Sequence, residues 1–228
     1  MQCGICGGTS FTQHRVLWDG LINEWQISRA EADYIDRQQG ETCDSCGSNL
    51  RSIALANALR GFLQTNALLK EIPRSPSGMN ISILEINEAG MLSPFLKCFN
   101  NYTFGAYPEV DMHAIPYGDG VFDVVIHSDT LEHIKNPVHA LTECRRVLKT
   151  NGVLCFTVPI IVGRLSRNRD GLPKSCHGNS EVTSDDLAVH TEFGADAWTY
   201  IFEAGFTEVS IHSVGYPAAI AFAARNSR

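Results

Sequence analysis

Two apolar runs separated by a helix pattern set the tightest limit on what this chain can fold into. Residues 122–126 (FDVVI) read as a buried strand, and residues 153–158 (VLCFTV) as another. Between them, Asn136 and Pro137 make a helix start, a cap side chain followed by proline at the first turn. Val138, Leu141, Cys144 and Leu148 continue the apolar face, and Asn151-Gly152 stops it. The same texture extends in both directions. Residues 81–84 are a short apolar run ending at the acid Glu85, 92–99 read as a helix and 102–104 as a short strand. Further on, 195–203 read as a helix, and 206–213 and 218–224 as strands around Gly215-Tyr216-Pro217. Alternating strands and helices imply a mainly parallel sheet covered on both faces. A closing pair joined by a short turn must be antiparallel. The predicted fold over 81–228 is therefore α/β, a Rossmann-like doubly wound sheet with an antiparallel edge strand.

Residues 1–50 have a different character. Cys3-Gly-Ile-Cys6-Gly7 and Cys43-Asp-Ser-Cys46-Gly47 are two cysteine pairs, each with two intervening residues and a following glycine. The glycine permits the positive φ of a tight knuckle, and two knuckles supply the four thiolates of a closed tetrahedral site. We expect Cys3, Cys6, Cys43 and Cys46 to hold a structural Zn2+, although iron suits the same ligands. A closed site has no open position, so its role is folding. Between the pairs lie Trp18, Leu21 and Trp25. Residues 51–70 have a helical pattern with Leu55, Leu59, Phe62 and Leu69 on one face, and 72–80 (IPRSPSGMN) read as a linker. The expected organisation is a four-cysteine zinc-ribbon-like module (1–50), a connecting helix and linker (51–80) and the sheet domain (81–228).

The 228 residues are enough for one sizeable core and a small appendage. A formal net charge of -7 disfavours broad nucleic-acid binding, which rests on Lys and Arg neutralising phosphates. No apolar run approaches the roughly 18 residues that cross a membrane, and MQCGICGG does not look like a signal peptide. The expected compartment is the reducing cytoplasm, where eight cysteines serve as metal ligands and small apolar residues rather than disulfides. Cys98, Cys144 and Cys155 read as core residues. Cys176-His177 lies in the long 160–192 connection, which is basic in its first half (Arg164, Arg167, Arg169, Lys174) and carries Glu181, Asp185 and Asp186 in its second.

The block 111–159 has an acid and an apolar-Pro-aromatic stretch, then Phe-Asp opening a buried strand and a Leu-Glu-His turn. A helix ending Arg-Val-Leu-Lys, an Asn-Gly turn and a strand ending Val-Pro complete it. It resembles the class I S-adenosylmethionine-dependent methyltransferases, specifically the broad type 11 family, and the weaker pattern on either side extends the likeness over 81–228. A cysteine-paired module followed by Gly47-Ser-Asn-Leu-Arg51-Ser is similar to the region preceding this domain in a subgroup of bacterial methyltransferase-like proteins. The resemblance implies a cofactor cleft at the strand ends. It places the loop from Glu85 through Asn87 and Ala89 to Gly90 beside the methionine part of S-adenosylmethionine. Asp111 and Met112 would flank the adenine, Tyr107 would lie near the ribose, and the backbone at His127 and Ser128 would lie beside the methyl donor. Two departures stand out. The family's first loop is Glu-x-Gly-x-Gly-x-Gly, whereas this chain has Asn87, Ala89 and Met91 among its positions. The usual ribose-binding acid is replaced around Ala106-Tyr107, and the connection from Phe104 to Asp111 is too short for the usual helix.

The resemblance implies an enzyme that transfers a methyl group to a small-molecule, sugar-containing or peptide substrate. The two departures motivate an alternative, a catalytically degenerate methyltransferase-like zinc protein that acts as a binding module and need not bind the cofactor. A nicotinamide dehydrogenase fits poorly, because no Gly-x-Gly-x-x-Gly follows the first strand. Ionisable groups expected near the cleft are His127, Asp129, Glu132, His133 and His177, with His190 beside the variable loop; none is singled out as a base.

Overall fold

The computed structural model describes residues 1–175 and 187–227. The N-terminal region forms β1 (Phe11–Gln13), α1 (Asp19–Trp25), α2 (Arg29–Gly40), β2 (Glu41–Cys43) and α3 (Leu50–Phe62). β1 and β2 pair antiparallel, which brings the two cysteine pairs together. Ser28 and Glu31 form a capping box at the start of α2. Asn49 caps α3 by accepting from the Ser52 N–H at 2.9 Å, and its amide donates to the Gln39 carbonyl at 3.3 Å, tying the end of α2 to the start of α3.

The remaining elements are β3 (Ser82–Ile86), α4 (Ser93–Leu96), β4 (Asn101–Gly105), β5 (Phe122–Ser128), α5 (Pro137–Val147), β6 (Leu148–Thr157), β7 (Ile160–Ile161), β8 (Arg167–Asn168), β9 (Thr191–Gly194), α6 (Trp198–Glu203), β10 (Glu208–Val214) and β11 (Ala219–Arg225). Six strands make the main sheet in the order β10-β11-β6-β5-β3-β4. β4, β3, β5 and β6 are parallel, and β11 runs antiparallel to both β6 and β10. The closing antiparallel pair thus occupies one edge of the sheet, with the reversed strand one place in. β7, β8 and β9 form a separate small sheet.

Successive residues of each strand point to opposite faces, and both faces of the central strands β3, β5, β6 and β11 are largely buried. Ile83, Val124, Ile126, Val153, Ala219 and Ala221 pack against Leu55 and Leu59 of α3 and continue into Leu21, Trp25, Ile35 and Cys3. Leu84, Val125, Leu154, Phe156 and Phe222 pack on the other face against Leu141 and Cys144 of α5 and Ile201 of α6. Each fully buried aliphatic side chain contributes roughly 1.5–3 kcal/mol. The first face has a consequence for the expected organisation: one unbroken apolar cluster runs from Cys3 to Ala223. The stretch from α3 to Ile72 is part of it. Leu69 and Ile72 are fully buried in a 3-10 turn (Leu69–Arg74), because their apolar side chains fill the space between the knuckles and the sheet.

The helix expected over 92–99 shortens to Ser93–Leu96, preceded by a 3-10 turn at Gly90–Leu92. Cys144 and Cys155 are buried as expected, but Cys98, just past α4, is exposed. Helices α1 and α2 hold the long connection: Tyr34 Oη accepts from the Val162 N–H at 2.8 Å, Arg164 Nη1 donates to the Trp25 carbonyl at 3.0 Å, and Trp25 Nε1 donates to Ser175 Oγ at 2.9 Å. Cys176, His177, Glu181, Asp185 and Asp186 lie outside the described residues. Among the described residues, no helix is long and apolar enough to cross a membrane.

Candidate active site and four-cysteine cluster

The sulfurs of Cys3, Cys6, Cys43 and Cys46 all lie within 4.8 Å of one another. Cys3 and Cys46 are 3.8 Å apart and Cys6 and Cys43 3.6 Å, far beyond a disulfide bond. A regular tetrahedron with metal–sulfur bonds of about 2.3 Å has edges of about 3.8 Å, so the cluster matches a four-thiolate metal site. Gly7 and Gly47 take φ of 87° and 72°, and the Gly8 N–H points at Cys6 Sγ at 3.3 Å. Burial pushes the Cys3 thiol up to about 12. A divalent cation is the partner that would hold such a sulfur as thiolate.

The second site is a cleft of about 620 Å³ at the carboxyl ends of the central parallel strands. Asn87 and Glu88 come from the loop after β3, Tyr107, Asp111 and Met112 from the segment after β4, and Ser128, Asp129 and Thr130 from the turn after β5. Asn87 takes the left-handed conformation at φ 54°. Its Oδ1 accepts from the Tyr107 N–H at 3.1 Å, and its own N–H donates to the Gly105 carbonyl at 2.8 Å, so the loops after β3 and β4 are joined. Asp111 accepts from the backbone N–H of His113 at 2.8 Å; that bond and the adjacent imidazole hold its carboxyl below the usual range.

Of the residues the sequence brought forward as cofactor contacts, Asn87, Tyr107, Asp111 and Met112 line this cleft together. Glu85, Ala89, Gly90 and His127 do not. Glu85 is fully buried and braces the loop from behind: it accepts from the Ala89 N–H at 2.7 Å, from Ser93 Oγ and from Tyr102 Oη at 2.5 Å. Ala89 is buried in the cluster shared with the N-terminal region, and the end of the Met91 side chain lies against Gly47 of the second knuckle. The extra side chains in this loop therefore have places outside the cleft. His127 is fully buried, with its ring stacked on Phe156 at 5.1 Å and, among the described residues, no hydrogen-bond partner for either nitrogen. Burial pulls its pKa down to about 3. It points to that face because alternation along β5 sends its side chain the same way as Val125, toward the core beneath α5.

Among the expected ionisable groups, Asp129, His133 and His190 line the cleft, and Glu132 is buried beneath it. His133 Nδ1 donates to the Ala188 carbonyl at 3.2 Å, which fixes its tautomer. His190 is placed by its backbone N–H, which donates to the Glu132 carbonyl at 2.7 Å. Burial, aided by Lys135, lowers its pKa, so the imidazole is neutral at pH 7. The basic half of the long connection converges on one buried acid: Arg164, Arg167 and Arg169 all pair with Glu192. Burial opposes ionisation there, but the arginine hydrogen bonds prevail and keep the carboxyl low. Glu88, Thr130 and Lys135 also line the cleft. The sequence reading missed them because nothing in their local pattern separates them from ordinary loop residues.

A mainly parallel sheet with a cleft at its strand ends defines a Rossmann-like α/β protein. Residues 87–156 match the family described as a methyltransferase domain, in agreement with the resemblance read from 111–159. No curated protein matches the sequence. Among solved structures, a provisionally assigned methyltransferase from Bacillus halodurans C-125 is 19% identical, covering 58% of this chain and 63% of that one, with a TM-score of 0.39. The DszA carbon methyltransferase is 17% identical over 91% of this chain and 57% of that one, at a TM-score of 0.45. The CurJ carbon methyltransferase is 13% identical over 92% and 70%, also at 0.45. This chain thus spans less than two thirds of the length of the first two.

Proposed function

We propose that this chain is a cytoplasmic S-adenosylmethionine-dependent methyltransferase, acting on a small-molecule, sugar-containing or peptide nucleophile and carrying one structural Zn2+. The observation that carries this reading is the coincidence of the cleft with the methyltransferase-matching segment. Nearly all of its walls come from residues 87–135, at the strand ends where open α/β sheets bind ligands. Its volume of about 620 Å³ suits a ligand of that size.

Asp111 and Met112 would flank the adenine and Tyr107 the ribose, with Asn87 and Glu88 beside the methionine part and Ser128 and Thr130 beside the sulfur. The bound cofactor supplies an electrophilic methyl group. The chain's own contribution is largely positioning: loops pinned by Glu85 and Asn87 hold the reactants in line. His190, neutral and facing the cleft, can accept the proton that a hydroxyl or amine nucleophile gives up. Cys3, Cys6, Cys43 and Cys46 would bind Zn2+ in a closed site that adds to folding rather than to chemistry.

The absence of an acid at Gly105-Ala106-Tyr107, where β4 ends, favours the second reading, a binding protein without turnover. Titration calorimetry with S-adenosylmethionine and S-adenosylhomocysteine on the metal-loaded protein separates the two. Micromolar binding is expected. No binding at millimolar ligand would overturn the methyltransferase reading in favour of the second.

A further inference from the structure

One side chain from the N-terminal region pairs with one loop that frames the cleft and comes close to another. Arg51, at the start of α3, pairs through Nη1 with Asp129 in the turn after β5. Its Nη2 lies against the loop after β3: a Cβ placed on Gly90 would sit 3.3 Å from it. The pair is largely out of solvent, with side-chain exposures of 15% and 9%. Asp129 lines the cleft and holds φ at 44°, a conformation side-chain-bearing residues rarely adopt. Such a turn persists only where its surroundings fix it. Here Gln39 Nε2 donates to Asp129 Oδ2 at 2.9 Å and Thr157 Oγ1 to Oδ1 at 3.1 Å. Helix α2, helix α3 and strand β6 therefore converge on one carboxylate in the cleft wall.

We propose that Arg51 is a positioning residue for the cofactor site, clamping the loop after β3 to the turn after β5. This rests on the methyltransferase reading and extends it: the cysteine-bearing region completes the binding site. The physical reason is twofold. A largely buried carboxylate needs a cation to stay ionised without displacing its turn, and a planar guanidinium has donors enough to engage two loops at once. Without the clamp, cofactor binding must also order both loops, and affinity falls by that ordering cost.

The test is titration of the full chain with S-adenosylhomocysteine, with metal content and melting temperature measured alongside. Arg51→Ala should weaken binding by about tenfold or more while keeping one metal per chain. Arg51→Lys, which restores the charge but not the fork, should recover part of that loss. Combining Arg51→Ala with Asp129→Asn should bind more tightly than Arg51→Ala alone, because the carboxylate that lost its guanidinium is then a neutral amide. Gln39→Leu removes a single donor to Asp129 and should weaken binding several-fold even if Arg51→Ala does not fold. Binding by Arg51→Ala, or by Gln39→Leu where only that variant folds, that equals the unaltered chain's would overturn the inference. Failure of the unaltered chain to bind at all would overturn the methyltransferase reading, and this inference with it.

Discussion

Replacing Glu85 by alanine tests whether that residue braces the loop or touches the ligand. Glu85 is fully buried, and three donors end on its carboxylate: the Ala89 N–H, Ser93 Oγ and Tyr102 Oη. Hydrogen bonds to a charged group contribute roughly 1.5–3 kcal/mol each. Deleting the carboxylate also relieves its own desolvation, a penalty of several kcal/mol. Two of the donors, on Ala89 and Ser93, sit where water does not reach. The net loss expected for Glu85→Ala is about 3–4 kcal/mol. At about 2–4 °C per kcal/mol for a chain of this size, the melting temperature should fall by roughly 10 °C. Urea unfolding should show a lower midpoint with an unchanged slope. Glu85→Gln keeps an acceptor oxygen and should lose about half as much. A loss below about 1 kcal/mol for Glu85→Ala, or normal stability with lost cofactor affinity, would refute the bracing role.

His127 should make stability pH-dependent. Its folded pKa of about 3 lies below the ordinary value of 6.5, so below pH 6.5 the unfolded chain takes up a proton that the folded chain refuses. Stability from this group therefore falls as the pH drops, by about 2 kcal/mol between pH 7 and pH 5. His127→Phe should remove that part of the fall, and equal falls in both proteins, measured by urea unfolding, would contradict the assignment. Cys46→Ser should reduce metal content well below the one ion per chain expected by elemental analysis and lower the melting temperature; full metal content in the variant would exclude the four-thiolate site.

What the sequence disclosed and what it hid divide along physical lines. The βαβ unit at 122–158 was legible because both strands are buried on two faces and the helix between them carries its own start and stop signals. The cysteine cluster was legible because ligand spacing within each pair is local. The pairing of residues far apart was not. No local pattern says what Arg51 and Gln39 reach, and their meeting at Asp129 follows only from how α2 and α3 lie across the sheet. Likewise, Ala89 and Met91 read as obstructions in a glycine loop, whereas the N-terminal region gives both a place to go. For His127, alternation along β5 says that the side chain faces one side of the sheet but not which side holds the cleft.

The unbroken cluster from Cys3 to Ala223 also sets a timetable for the growing chain. All four cysteines of the cluster have been made by residue 46, so the knuckles can come together early in synthesis. Part of the apolar face of α3 is completed much later, because Ala219 and Ala221 of β11 lie about 160 residues downstream. At about 5–20 residues per second, the ribosome needs roughly 8–30 s to deliver them. Over that interval Leu55 and Leu59 have only their N-terminal neighbours, and no β11, to cover them.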